Sequence, residues 1–460
     1  MWKFSRNQYI SFVFILLISF FQTGICSGAF TIDDEKKLGK EFYDKLVKHH
    51  LLLENKRANE YITKIGNLIL EGNKQVPFNF RFSIVNNSAI NAFATPGGYI
   101  YINKGLINAV GNEGELAGVI AHEIAHANAR HVASIIEKSQ KLNIATLAAV
   151  LAGAFLGGGG EATAAIATLS LAGAASLSLK YSREHEEEAD RLGIEYLTSA
   201  GYYPAAMVDF LKIIKKYEFI SKSIPSYLLT HPGTDERIFY LESLILTQYR
   251  QGGLKNIIGN LGRIQALLII DGDDLNTRYK QLKESTSKDP GNVDLLYALA
   301  LVEDKLGKTT EALNSYQKAL SLAPRDEDVL KSLGLINLKM GKTEQARDYL
   351  LRARASNPYN DEVILALGKA YDALGKHDKA LDCFLKLENK ILDDVDIHYY
   401  IAMTYGKLNI LGESHYNFGL YFKNIKKKDT ALFHFKKALD YFPENSDRSA
   451  NIKKTIDALK

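Results

Sequence analysis

Asn112-Glu113-Gly114-Glu115-Leu116-Ala117-Gly118-Val119-Ile120-Ala121-His122-Glu123-Ile124-Ala125-His126 is the stretch on which the reading of the chain's first half turns. Asn112 followed three residues later by Glu115 is a helix-start signal, a cap with its capping-box partner. Leu116, Val119, Ile120 and Ile124 then recur at helical spacing and would seat the segment in a core. The pattern predicts one long helix from near Asn112 to about Lys138. On it His122 and His126 stand at i and i+4, one above the other on the same face. Both imidazoles therefore reach a single ion, and Glu123 stands beside it.

Zinc accepts two such histidines, needs a third protein ligand and keeps one position for water. A five-residue motif recurs by chance, so its surroundings decide. Downstream lies a second helical segment, Tyr181-Ser182-Arg183-Glu184-His185-Glu186-Glu187-Glu188-Ala189-Asp190. Glu186 and Asp190 again share a face. One carboxylate can complete the ligand set while the other receives an N–H from a ligand imidazole and fixes its tautomer. Glu187 and Glu188 read as solvent-facing acids, and His185 as exposed. His131 lies five residues past His126, about 140° round a continuous helix, which argues against it as a ligand. Cysteine is no competitor. The only two, Cys26 and Cys383, sit in different segments, which excludes a thiolate metal site and a disulfide framework.

With these residues in place the chain resembles the HtpX-like and CAAX-prenyl-protease-like gluzincins, which join a double-histidine helix to a Glu-x-x-Ala-Asp helix. Two further stretches carry the likeness. Asn91-Ala-Phe-Ala-Thr-Pro-Gly-Gly-Tyr-Ile-Tyr looks like the family's strand-turn-strand, and Thr230-His-Pro-Gly-Thr-Asp-Glu-Arg-Ile like its later Thr-His-Pro loop. The similarity covers most of 30–245. It implies one Zn(2+) per chain held by His122, His126 and Glu186, with Glu123 as general base and Asp190 orienting a ligand. It also implies that His231 and Arg237 support the oxyanion. The strand holding Tyr99, Ile100 and Tyr101 is expected to be an edge for an extended substrate.

The second half repeats. Pro290, Pro324 and Pro358 are 34 residues apart, as are Gly307, Gly341 and Gly375, each followed by lysine, and Ala312, Ala346 and Ala380. This period, with Leu-Gly-Lys between two helical patterns, resembles the tetratricopeptide repeat. Small alanines let paired helices approach, glycine ends the first helix, and proline opens the next unit. Three units run in phase from about 291 to 390 and a fourth begins near Val395. Ala431–Pro443 then aligns with Ala312–Pro324 after 119 residues, three and a half periods. The slip predicts one extra helix at about 412–426 before a final pair that caps the array.

The remaining segments set the context. Lys3 and Arg6 precede an apolar run from Tyr9 to Phe21 and then Gly24, Ser27 and Gly28, the layout of a secretory signal peptide over 1–28. Ile25 is bulky for a lipid-attachment site at Cys26. Residues 144–179 are rich in alanine, glycine and leucine, in two halves each too short to span a bilayer. They read as a helical hairpin that covers the site or makes peripheral contact with a membrane. Residues 246–285 read as a helical linker. The net charge of +4, with lysine and arginine scattered, gives no reason to expect a nucleic acid.

The expectation is an α+β, mainly helical chain. A zincin-type metallopeptidase domain over 29–245 precedes an all-α tetratricopeptide-repeat solenoid over 286–460. The layout is similar to the BepA-like branch of periplasmic proteases and chaperones. That resemblance implies a secreted endopeptidase, periplasmic where there are two membranes, whose repeats dock protein substrates and envelope assembly proteins. The competing expectation is a chaperone or assembly scaffold whose metal site is latent because His231 fills the open position.

Overall fold

The computed structural model describes residues 30–72, 78–137, 143–156, 180–221, 225–249, 252–270, 274–390 and 396–459. The expected signal peptide, Cys26 and the second half of the 144–179 hairpin lie outside them. The chain divides into two compact units, Met1–Leu268 and Ile269–Lys460.

In the first unit, α1 (Ile32–Lys48) and α2 (Lys56–Glu71) precede three short strands, β1 (Arg81–Val85), β2 (Ala92–Thr95) and β3 (Tyr99–Asn103). Then come α3 (Lys104–Ala109), α4 (Glu113–Asn128), α5 (His131–Glu137), α6 (Ile144–Leu156) and α7 (Arg183–Ser199). The helices α8 (Ala206–Ser221), α9 (Ser226–Thr230), α10 (Thr234–Gln248) and α11 (Leu261–Ile270) complete the order.

Helix α1 starts on a reciprocal capping box between Thr31 and Asp34. Its buried Leu38, Phe42 and Leu46 pack with Leu147, Val150, Leu151 and Phe155 of α6 on one face of the sheet. The other face, with Ile84, Ala92, Ala94, Ile100 and Ile102, packs against α2 and α4. Burial on both faces is why these strands read as continuous apolar runs instead of alternating ones. No helix among the described residues is long and apolar enough to cross a membrane.

The strand order is β1-β3-β2. β3 pairs in parallel with β1 and antiparallel with β2, so Tyr99, Ile100 and Tyr101 have neighbours on both sides. The expected substrate edge at Tyr99–Tyr101 is therefore wrong: a central strand has no free backbone groups to offer. Among the described residues the two edges are β1, bridged on its outer side by Leu52 at Val85, and β2. The β2–β3 turn needs its glycines. Gly97 has φ 84°, and a Cβ there would meet the Glu35 carbonyl oxygen at 2.9 Å.

Helix α4 is buried without a break from Glu113 to Ala127. Its cap is the expected one: Asn112 Oδ1 accepts from the Glu115 N–H at 3.2 Å. The expected continuation to Lys138 does not hold. The helix ends at Asn128 and Arg130 turns left-handed, φ 56°. That conformation is held by tertiary bonds, Arg130 Nε to Glu35 Oε1 at 2.5 Å and Nη2 to the Phe30 carbonyl at 2.8 Å. The start of α4 is anchored as firmly. Glu113, fully buried, accepts from the Tyr202 hydroxyl and the Ile257 and Ile258 N–H groups on Oε1. Its Oε2 accepts from the Tyr61 hydroxyl and the Gly259 N–H. In return the Lys255 carbonyl and Asn256 Oδ1 accept from the N–H groups of Gly114 and Glu113. Part of the expected 246–285 linker is thus built into the first unit, because the helix start supplies partners for its backbone.

The second unit is helical throughout its described residues: α12 (Leu275–Lys288), α13 (Val293–Lys305), α14 (Thr309–Leu322), α15 (Glu327–Lys339), α16 (Thr343–Ser356), α17 (Asp361–Ala373) and α18 (His377–Leu385). There follow α19 (Ile397–Lys407), α20 (Leu411–Asn424), α21 (Lys428–Leu439) and α22 (Asp447–Leu459). Gly307, Gly341 and Gly375 adopt φ near 70–75° just past the first helix of each pair, the left-handed closure that the repeat demands. Ala312, Ala346 and Ala380 are fully buried at the helix crossings. The phase slip is α20, which packs on both α19 and α21 and so closes one pair while opening the next.

Candidate metal centre

Helix α4 brings His122, Glu123 and His126 to the centre of the first unit, and α7 crosses it with Glu186 and Asp190. The segment α9–α10 adds His231 and Arg237. Ligand atoms of His122, His126, Glu186 and His231 all lie within 4.8 Å of one another. His126 Nε2 is 2.9 Å from His122 Nε2 and 3.4 Å from Glu186 Oε1. His231 Nδ1 is 3.0 Å from Glu186 Oε1 and 3.4 Å from His122 Nε2.

Each ligand is held from behind. His122 Nδ1 lies 2.9 Å from Asp190 Oδ1, which fixes the tautomer that turns Nε2 to the cluster. His126 Nδ1 lies 2.8 Å from His131 Nδ1, and His131 Nε2 is 3.2 Å from Glu188 Oε2. His131 is therefore no ligand but does reach the site, through the helix break at Arg130 that a continuous helix would forbid. His185, expected to be exposed, is half-buried and stacks on His131 at 4.4 Å. Tyr181 stacks on His126 at 3.9 Å and Tyr227 on His231 at 4.3 Å. Sequence reasoning missed His131 and both tyrosines as parts of the site.

Arg237 departs from its expected role. Its Nε and Nη2 donate to Asp190 at 2.8 and 2.6 Å, and Nη1 lies 2.6 Å from Glu186 Oε2. Two of its nitrogens are hydrogen-bonded to Asp190 and the third only ion-pairs with Glu186 without a hydrogen bond, so its observed contacts position the carboxylates.

The charges follow this wiring. Burial works against ionising Glu186 and Asp190, yet the Arg237 guanidinium holds both carboxyls below their usual range. Burial likewise opposes charge on His122, but bonds to Asp190 and Glu186 push it up to about 9. Burial drives His126 well down, and raises the Glu123 carboxyl. Three buried carboxyl groups, Glu123, Glu186 and Asp190, outnumber the one buried guanidinium, and His122 carries the compensating charge that a bound cation would replace. Both Glu123 oxygens are buried without a hydrogen-bond partner, beside the cluster where a polar reactant would sit. The donor set, two or three imidazoles and a carboxylate, suits zinc.

The whole cluster is closed. His122, His126 and Glu186 are 1% exposed, and Glu123 and His231 are 0%.

Comparison with known proteins agrees with this architecture. Residues 55–245 match peptidase family M48, while 273–404 and 412–445 match tetratricopeptide repeats. The chain is 37% identical over 219 residues to a beta-barrel assembly-enhancing protease of Yersinia pestis, 47% of this chain and 45% of that one. It is 32% identical over 209 residues to the protein of that name in Escherichia coli strain K12, 45% and 43% of the two chains. It is also 34% identical over 185 residues to mitochondrial metalloendopeptidase OMA1 of Arabidopsis thaliana, 39% and 36% of the two. The match spans less than half the length of each of these relatives. Residues 55–245 are a peptidase family M48 domain, and the chain joins that domain to tetratricopeptide repeats.

Proposed function

We propose that the protein is a zinc-dependent endopeptidase, exported from the cytoplasm, that hydrolyses internal peptide bonds of unfolded or misassembled envelope proteins. The observation that carries this reading is the meeting of His122, His126 and Glu186 with Glu123 beside them, its carboxylate buried without a hydrogen bond and 3.5 Å from His231 Nε2. The repeats dock client or assembly proteins. In a cell with two membranes the protein works in the periplasm, a reading supported by the relatives named for β-barrel assembly.

His122, His126 and Glu186 would hold the zinc. When bound, zinc supplies a Lewis acid that polarises the scissile carbonyl and makes water acidic enough to lose a proton near neutral pH. Glu123 accepts that proton and returns it to the leaving amine; such base catalysis is typically worth about 10²–10⁴ in rate. Asp190 and His131 hold the two imidazoles in orientation, and Arg237 keeps Glu186 and Asp190 ionised. β2, the edge strand with no bridge on its outer side among the described residues, is the place for an extended client to pair.

A second reading, a chaperone or scaffold with a latent site, has its own support. His231 belongs to the ligand set, and the cluster is closed to solvent. Metal analysis of the purified chain beside casein cleavage, with and without chelator, tests the first reading. A chain that cleaves equally well when stripped of metal rejects it. His231→Ala separates the two: a large gain in self-cleavage favours latency, and a loss favours a His231 that assists the reaction.

A further inference from the structure

We propose that an open groove between α14, α15 and α16 receives a glutamate side chain from an acidic segment of a partner polypeptide. This deepens the reading of the repeats as a docking module and rests on it.

The groove, about 580 Å³, lies where one repeat passes into the next and is lined by Pro324, Arg325, Leu330, Arg352, Ala355 and Ser356. Two of these residues are cations, both exposed, and none is an acid. Arg352 is held in place from two sides. Its Nη2 donates to the Pro324 carbonyl at 3.0 Å, and its guanidinium carbon lies 5.8 Å from the Tyr349 ring centroid. Among the described residues neither guanidinium is paired with a carboxylate.

One repeat on, the chain answers its own cations. Lys386, 34 residues after Arg352, lies 2.7 Å from Asp382, and Lys390, 34 after Ser356, lies 3.5 Å from Asp361. The acids at the matching positions of the earlier repeat are Asp348 and Glu327, and both are drawn elsewhere. Asp348 Oδ1 accepts from Nε and Nη2 of Arg347, and Glu327 Oε1 accepts from the side-chain amides of Asn357 and Asn360. A carboxylate from outside would therefore do at this groove what Asp382 and Asp361 do in the following repeat.

The lining selects the kind of anion. A guanidinium offers paired N–H donors that match the two oxygens of a carboxylate. Pro324 and Ala355 are exposed apolar walls against which the methylenes of a glutamate can lie. A lysine would meet like charge here, and an uncharged chain would gain nothing from the two arginines. Two cations are too few for a phosphate polymer, whose affinity grows with a run of such contacts.

The test is saturation-transfer NMR on the full chain, comparing acetyl-Ala-Glu-Ala-amide with acetyl-Ala-Gln-Ala-amide at low ionic strength. The glutamate peptide should bind and the glutamine peptide should not, and added salt should weaken the binding. Arg325→Gln and Arg352→Gln should each weaken it about threefold and together about tenfold, the size of exposed ion pairs. Both positions are exposed, so the variants should fold, which a thermal melt confirms. Arg354→Gln removes the same charge from α16 outside the groove lining and should change nothing. Equal binding of both peptides, no binding of the glutamate peptide, unchanged binding in the double variant, or an equal loss in Arg354→Gln overturns the proposal. So does oligothymidylate that binds through Arg325 and Arg352 where the peptide shows no binding. Each of these outcomes concerns this groove alone, and the broader docking role is tested separately by removing the repeats.

Discussion

Glu113→Gln tests whether the start of the helix that carries His122, Glu123 and His126 is held by one carboxylate. Glu113 receives five hydrogen bonds, three on Oε1 and two on Oε2, and is fully buried. Glutamine keeps the shape but turns one oxygen into an NH2 group. The less costly orientation places that group on the Oε2 side, facing the Tyr61 hydroxyl and the Gly259 N–H. The hydroxyl can rotate and accept, but the Gly259 N–H cannot, so one buried donor is orphaned at about 1–3 kcal/mol. The three bonds that remain lose their charge assistance, which roughly doubles such a bond. Against this, the neutral side chain no longer bears the cost of a buried charge. The net loss should be about 2–3 kcal/mol. Urea unfolding followed by circular dichroism reads it; tryptophan fluorescence does not, because the single tryptophan is Trp2. Hydrogen exchange gives a local check, since the amides of Ile257, Ile258 and Gly259 should lose about one to two decades of protection. A variant within about 0.5 kcal/mol of wild type, with those amides as protected as before, would refute the reasoning.

Four other outcomes are expected. Glu123→Gln should retain zinc and lose at least about a hundredfold in casein cleavage; wild-type rates would remove Glu123 as the base. Glu186→Ala should lower zinc content by elemental analysis, and a full complement would move the third ligand elsewhere. In Arg237→Met, with metal chelated, Asp190 and Glu186 lose the cation that depresses them below 3.8 and 4.5. Depressed carboxyls stabilise the fold above those ordinary values and lose that contribution as pH falls through the lower native ones. Melting across the acid range should therefore show the variant failing at a higher pH than wild type, and coincident profiles would reject the coupling. Deleting 274–460 should leave zinc content and peptidase activity intact while abolishing cross-linking to clients; unchanged cross-linking would count against the repeats as the docking surface.

The repeats and the double-histidine motif were legible because both are written in local spacing. Proline, glycine and alanine recur at a fixed period, and two imidazoles four residues apart must share a helix face. Even the half-period slip announced α20. What escaped depended on distant partners. Arg130 breaks the helix because Glu35, 95 positions earlier, holds its side chain, and only that break turns His131 back onto His126. β2 is four residues long and buried throughout, so it shows neither alternation nor length. The order of the strands is a matter of pairing across the chain, and the mistake over Tyr99–Tyr101 followed from not knowing that β1 lies alongside. Arg237 was placed correctly near the site but its nitrogens were assigned to the wrong partner, since the spacing of Asp190 from Glu186 says nothing about what bridges them.

The closure of the cluster governs how the ion exchanges. Side chains that are at most 1% exposed give a chelator nothing to grasp until the fold opens. Demetallation should therefore speed up with chelator only at low concentration and then level off, the plateau measuring how often the domain breathes and not how strongly the competitor binds.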